Sequence, residues 1–134
     1  MIIVRKVRKW MAQAEADLRA AEDSLNGWHY DGACFQSQQS AEKALQGFLY
    51  SEGYTSVITH SLKELVREYE KTEKEFSELK TQARHLDTFY IPTRYPNGLA
   101  GNLSPSEFYE KEDGETCVSY AGSILEKAKK FLKN

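Results

Sequence analysis

With 134 residues, 40% of them hydrophobic and 28% charged, the chain has room for one domain and enough apolar material for a true core. A net charge of −2 excludes a global basic field that would draw the whole chain onto nucleic acid. No apolar run approaches the ~20 residues of a membrane span, and the opening "MIIVRKVRKW" has neither the apolar stretch nor the cleavage site of a signal peptide, so a cytoplasmic protein is expected.

The first helix is expected from about Val4 to Leu25, because Val4, Val7, Met11, Ala14, Leu18, Ala21 and Leu25 fall on one stripe. Asp17 sits at the edge of that stripe, and Asn26-Gly27 supplies the stop. A second helix starts near Asp31, read as its N-cap, and ends near Gly53. The third is short, Ser61 to Glu70, opened by a capping box in Ser61-Leu62-Lys63-Glu64. A fourth runs from about Thr72 to Phe89, with Phe76, Leu79, Ala83, Leu86 and Tyr90 aligned. All three prolines lie in 92–105, so this segment is the one substantial loop. Ser104-Pro105-Ser106-Glu107 reads as a capped single turn, and the last helix runs from about Gly114 to Leu132. The expectation is an all-α, up-and-down bundle of four long helices and one short one, forming a single domain over 1–134.

Arg5, Lys6, Arg8 and Lys9 crowd the start and Lys127, Lys129, Lys130 and Lys133 the end; both clusters read as solubilising helix ends. Cys34 and Cys117 fall on apolar faces and read as small core residues, not a disulfide or metal pair.

The second helix carries the most informative pattern. With Cys34 at the wheel origin, Ala41, Leu45, Phe48 and Leu49 lie within about 60°, but Gln38 lies at about 40°, inside the apolar stripe. Glu42 lies on its border, Gln39 and Gln46 further round, and Lys43 opposite. A buried amide without partners costs roughly 1–3 kcal/mol. Gln38, Gln39 and Glu42 are therefore read either as a polar network that fixes helix register or as the lining of a cleft or dimer seam. Arginine is the natural partner for Glu42 and Asp17, and Arg84 and Arg94 are the available donors.

The Pro/Gly-constrained loop presents Arg94 beside Tyr90 and Tyr95. That combination suits phosphate contact and base stacking; alternatively, the tyrosines close the bundle and Arg94 pairs with a helix carboxylate. His60, just before the third helix, is read as structural or as chemically active. No His/Cys/Asp/Glu set has metal-ligand spacing, and no Walker loop or GxGxxG occurs, so no metal or cofactor is expected.

Several segments occur in a telling order: "ADLRAA" (16–21), "YDGACFQSQQSAEKALQGFL" (30–49), "HSLKEL" (60–65), "RYP" (94–96) and "AGSIL" (121–125). Together they resemble the HEPN domain (higher eukaryotes and prokaryotes nucleotide-binding) over nearly the whole chain. The resemblance implies an α-helical bundle, commonly homodimeric, of the small stand-alone prokaryotic type that pairs with a minimal nucleotidyltransferase in toxin–antitoxin-like modules. It also implies binding of nucleotide or RNA, and in some branches metal-independent ribonuclease activity through an R-x4–6-H signature. That signature is not matched here: no histidine follows Arg94, and His85 directly follows Arg84.

The leading expectation is thus a non-enzymatic nucleotide- or RNA-binding domain, with Arg94 on phosphate, Tyr95 or Tyr90 stacking a base, and Lys43 adding charge. One alternative is a ribonuclease toxin with His60 or His85 as base. The other is a pure interaction module sealed by Gln38, Gln39 and Glu42.

Overall fold

The computed structural model describes residues 2–54, 59–71, 73–90, 92–93 and 95–132, with backbone only for 2–4 and 96. It is all-α: α1 Ile2–Asn26, α2 Tyr30–Ser51, α3 Leu62–Glu70, α4 Lys80–Asp87, α5 Pro105–Phe108 and α6 Lys111–Lys130. Among the described residues there is no strand, and no helix is long and apolar enough to cross a membrane.

The central helix is α2, which packs against every other α-helix. Small residues allow the close approach of α1. Ala14, Ala21, Ala41 and Ala44 are fully buried, and a Cβ on Gly47 would come within 2.8 Å of Met11 Sδ. Ser40 Oγ donates to the Ala14 carbonyl at 2.7 Å and ties the two helices together. α6 starts beside Leu25 and ends beside Glu15, so it runs antiparallel to α1. Contacts of Glu78 with Lys127 and of His85 with Tyr120 show that the chain through α4 runs antiparallel to α6, as expected of an up-and-down bundle.

The apolar centre is aromatic at one end. Phe48, Tyr69 and Phe76 meet with ring centroids 4.5–5.0 Å apart, and Phe131 joins Phe76 at 5.7 Å. Cys34 and Cys117 are free thiols buried in the core between α2 and α6. Their mutual hydrogen bond, then burial, holds the Cys117 thiol well above its ordinary pKa, which suits inert packing.

Helix ends depart from expectation in instructive ways. At the end of α1 the left-handed residue is Trp28 (φ 68°), not Gly27. His29 N–H donates to the Ser24 carbonyl and Trp28 N–H to the Leu25 carbonyl, the pattern that closes a helix with one left-handed residue. α2 begins at Tyr30 with His29 as N-cap, so Asp31 lies in the first turn rather than at the cap. The stretch expected as a long fourth helix is a 3-10 turn over Lys74–Leu79 running into α4. No side chain caps its start, and Phe76 and Leu79, three apart, face inward at either helical pitch, so the wheel does not separate the two. α6 begins at Lys111, before Gly114, because the Asp113 carboxylate accepts the Glu110 N–H at 2.9 Å. The Ser104 turn is capped as expected, with Glu107 Oε1 accepting both the Ser104 N–H and hydroxyl.

Candidate functional site

The polar row of α2 has one target. Gln38, Glu42 and Gln46 follow each other at four-residue steps, so they stand above one another on one face. All three are buried, and all three reach the two residues that precede Ser61. Gln46 Nε2 donates to the Thr59 carbonyl at 3.4 Å, and Gln38 Nε2 donates to the His60 carbonyl at 3.2 Å. Glu42 Oε1 lies 2.9 Å from His60 Nδ1. Gln39 Nε2 donates to Gln38 Oε1 at 2.8 Å and fixes the orientation of that amide. The row thus satisfies its own hydrogen-bonding demand by fastening the approach to α3.

The start of α3 is held from the other side by Asp87, the last residue of α4. Its carboxylate accepts the N–H groups of Leu62 at 2.8 Å and Lys63 at 3.1 Å, and the Ser61 hydroxyl at 3.2 Å. The Ser61 hydroxyl in turn accepts the Glu64 N–H at 3.3 Å. Only half of the expected capping box forms, because Glu64 takes the Thr59 hydroxyl instead and Thr59 Oγ1 accepts the Ser61 N–H. A carboxylate at a helix N-terminus also meets the positive end of the helix dipole.

Between these anchors the His60 ring lies nearly parallel to Tyr90, with centroids 5.4 Å apart and planes 15° apart. Phe35 of α2 backs Tyr90 at 6.4 Å. His60, Ser61, Asp87 and Tyr90 line an open cleft of about 230 Å³. The His60 side chain is 67% exposed while that of Glu42 is 5% exposed, so the imidazole stands at the surface on a buried carboxylate. Burial raises the Glu42 carboxyl above its ordinary value, against the hydrogen bond and charge of His60 and the charge of Lys43. With Glu42 ionised, His60 Nδ1–H is the donor, and the Nε2 edge of the ring is turned away from the carboxylate.

The structure brings together His60, Tyr90, Gln38, Gln39 and Glu42. It separates them from Lys43, whose amine pairs with Asp17 Oδ2 of α1, while Gln13 donates to Asp17 Oδ1 at 2.8 Å. Among the described residues, Glu42 meets His60 and Asp17 meets Lys43. Arg84 is exposed and makes no ion pair among the described residues. Tyr95 is 52% exposed. Arg94 lies outside the described residues. His85 packs against Phe89 and Tyr120, a packing role away from the cleft lining. Sequence reasoning missed Asp87, since its partners lie 24–26 residues away and nothing local marks it. No group of three or more His, Cys, Asp or Glu side chains among the described residues is placed to hold a metal ion.

Known proteins share this arrangement of helices. The family model of the HEPN domain matches residues 7–131. The chain is 31% identical to "Putative toxin MJ1304" of Methanocaldococcus jannaschii, covering 97% of this chain and 90% of that protein. Among solved structures, TT1696 from Thermus thermophilus superposes with a TM-score of 0.84 at 33% identity, covering 93% of this chain and 97% of that one. ST0689, described as an archaeal HEPN homologue, superposes with a TM-score of 0.78 at 35% identity, covering 95% and 98%. A family match over nearly the whole chain, with relatives that match end to end, means that this chain belongs to the HEPN domain family.

Proposed function

We propose that this chain is a nucleotide- or RNA-binding HEPN domain that works as a homodimer beside a separately encoded minimal nucleotidyltransferase, in a toxin–antitoxin-like module. The observation that carries the reading is the His60–Tyr90 stack at the mouth of the cleft. Two parallel rings, one backed by Phe35 and one held by Glu42, offer a preorganised platform for a nucleobase. Arg94, four residues after Tyr90 in sequence, supplies the phosphate contact in this reading. The M. jannaschii relative's name, "Putative toxin MJ1304", supports the toxin–antitoxin setting.

The test is thermal unfolding of the full chain with ATP, GTP, CTP, UTP and short RNAs, repeated with Tyr90→Ala, His60→Ala and Arg94→Ala. Ligand at about 100 times its dissociation constant stabilises a fold by about 2.7 kcal/mol, a readily measured shift. A shift that is lost in all three variants is expected; no shift with any ligand, or one indifferent to His60 and Tyr90, sinks the reading. Light scattering at micromolar concentration tests the homodimer, which a monomer mass refutes.

One observation favours the ribonuclease reading as a second choice. The buried Glu42 carboxylate holds His60 with Nε2 turned away from it, the orientation a general base needs. RNA cleavage that survives His60→Ala disposes of it.

A further inference from the structure

The chain holds two Asn-Gly steps, Asn26-Gly27 and Asn97-Gly98. Asparagine before glycine is chemically labile. The glycine amide nitrogen can reach the side-chain carbonyl carbon, and glycine has no Cβ to restrict the approach. Ring closure requires the asparagine backbone to leave the helical conformation, so the fold decides which step reacts.

At Asn26 the fold holds the step shut. Asn26 is the last residue of the 25-residue α1. Three backbone bonds close the helix there: Gly27 N–H to the Asp23 carbonyl at 2.9 Å, Trp28 N–H to Leu25 at 3.2 Å and His29 N–H to Ser24 at 2.8 Å. The site is also crowded, since a Cβ on Gly27 would lie 3.3 Å from both the Asp23 carbonyl oxygen and His29 Cδ2.

Asn97 stands in the middle of the three-residue 3-10 turn Pro96–Gly98. Gly98 N–H donates to the Tyr95 carbonyl at 2.9 Å, so the length of that bond does not separate the two sites. What surrounds the bond does. A short 3-10 turn has poorer hydrogen-bond geometry than an α-helix and no adjoining helical turns to hold it. The chain is anchored at buried Thr93 and at Leu99, which packs against the core, while Tyr95, Asn97 and Gly98 between them are exposed. Opening of this tip disturbs little of the fold.

We propose that Asn97-Gly98 is a self-modification site that places a negative charge in the loop carrying Arg94. The Gly98 nitrogen bonds to Asn97 Cγ, the Cγ–Nδ2 bond breaks, and Nδ2 leaves as ammonia with the Gly98 amide proton. Water then opens the cyclic imide at either carbonyl and leaves aspartate or isoaspartate at position 97. The sum is amide plus water to carboxylate plus ammonium, with no change of oxidation state. Arg94 lies three residues before Asn97. With Arg94 as the phosphate contact, the new carboxylate repels the same phosphate. That consequence rests on the function proposed above; the modification does not.

The experiment incubates the folded full chain in heavy-oxygen water at mildly alkaline pH and reads each asparagine by peptide mass spectrometry. Exchange of the amide nitrogen for labelled oxygen is expected at Asn97, as an aspartate and isoaspartate pair, and not at Asn26 over the same time. In urea both steps are expected to react at similar rates, which isolates the contribution of the fold. Gly98→Val is expected to suppress conversion at Asn97. A folded chain in which Asn97 stays intact while the urea sample converts, or in which Asn26 converts as fast, overturns the proposal. ATP-induced thermal stabilisation is expected to be smaller in Asn97→Asp than in the parent. An equal shift overturns the charge effect alone. A parent that gains no stability from ATP overturns the role of Arg94, and the mass change at Asn97 is read independently of both.

Discussion

Glu42 and His60, eighteen residues apart in the chain, meet at 2.9 Å with the carboxylate buried and the imidazole at the surface. The contact joins the central helix to the start of α3 and sets which edge of the imidazole faces the cleft. It also places an ionisable group where water is scarce, with a consequence for pH.

The Glu42 carboxyl is raised above 4.5 chiefly by burial, so folding favours its protonated form. Its contribution to stability is full below the ordinary carboxylate range and is lost as pH rises through the raised value. Glu42→Gln keeps an oxygen that accepts His60 Nδ1–H but does not ionise. Urea denaturation between pH 4 and 7 is expected to show a smaller decline of stability with rising pH in Glu42→Gln than in the parent. Parallel profiles for the two proteins would contradict this.

Asp87 holds two backbone N–H groups and a hydroxyl at the start of α3. Asp87→Ala leaves these donors without their acceptor and is expected to cost about 1–3 kcal/mol in urea denaturation. Ser61→Ala removes one cap bond and is expected to cost about 1 kcal/mol. A loss in Asp87→Ala no greater than that in Ser61→Ala would show that the carboxylate is dispensable.

Gly47 lies where α1 comes close to α2, beside Met11. Its substitution places a methyl group 2.8 Å from Met11 Sδ and 3.4 Å from Trp10 Cβ. Gly47→Ala is expected to destabilise by about 1–3 kcal/mol. Part of that loss should be recovered against a Met11→Ala background, which frees the space, and a double-mutant cycle reads the coupling. Strict additivity would place the clash elsewhere.

Trp28 is 78% exposed and adopts a left-handed backbone. An L side chain there costs about 1–2 kcal/mol, and little packing is lost on its removal. Trp28→Gly is therefore expected to raise the unfolding midpoint, by about 1 kcal/mol in stability. A lower midpoint would mean that the indole makes contacts worth more than the backbone strain.

Much of the fold was legible because amphipathic periodicity is a local signal. The stripes of α1, α2, α3 and α6 named their buried residues, from Met11 and Ala14 to Ile124 and Ala128. Gln38 on the apolar side of α2 was also legible, and it is fully buried. The pitch of 74–79 was not, since inward residues three apart fit either helix. Nor was the left-handed Trp28, where composition pointed to the neighbouring glycine. Nor were the contacts of Glu42 with His60 and of Asp17 with Lys43, because charge type does not say which cation the fold carries past a carboxylate.

By itself the sequence determined α1, α2, α3 and α6, their buried faces and the presence of a polar row that had to be satisfied. Helical pitch and the cost of a bare buried amide suffice for that. Only the tertiary structure decided what satisfies the row. It turned the chain back after α2 so that Thr59 and His60 pass along Gln46, Glu42 and Gln38. It brought Asp87 and Tyr90 to the same place from α4 and the turn that follows it. Hydrogen bonds and ring contacts act over a few ångströms, so pairings between distant residues follow from how the helices are folded together, and local periodicity carries no record of that.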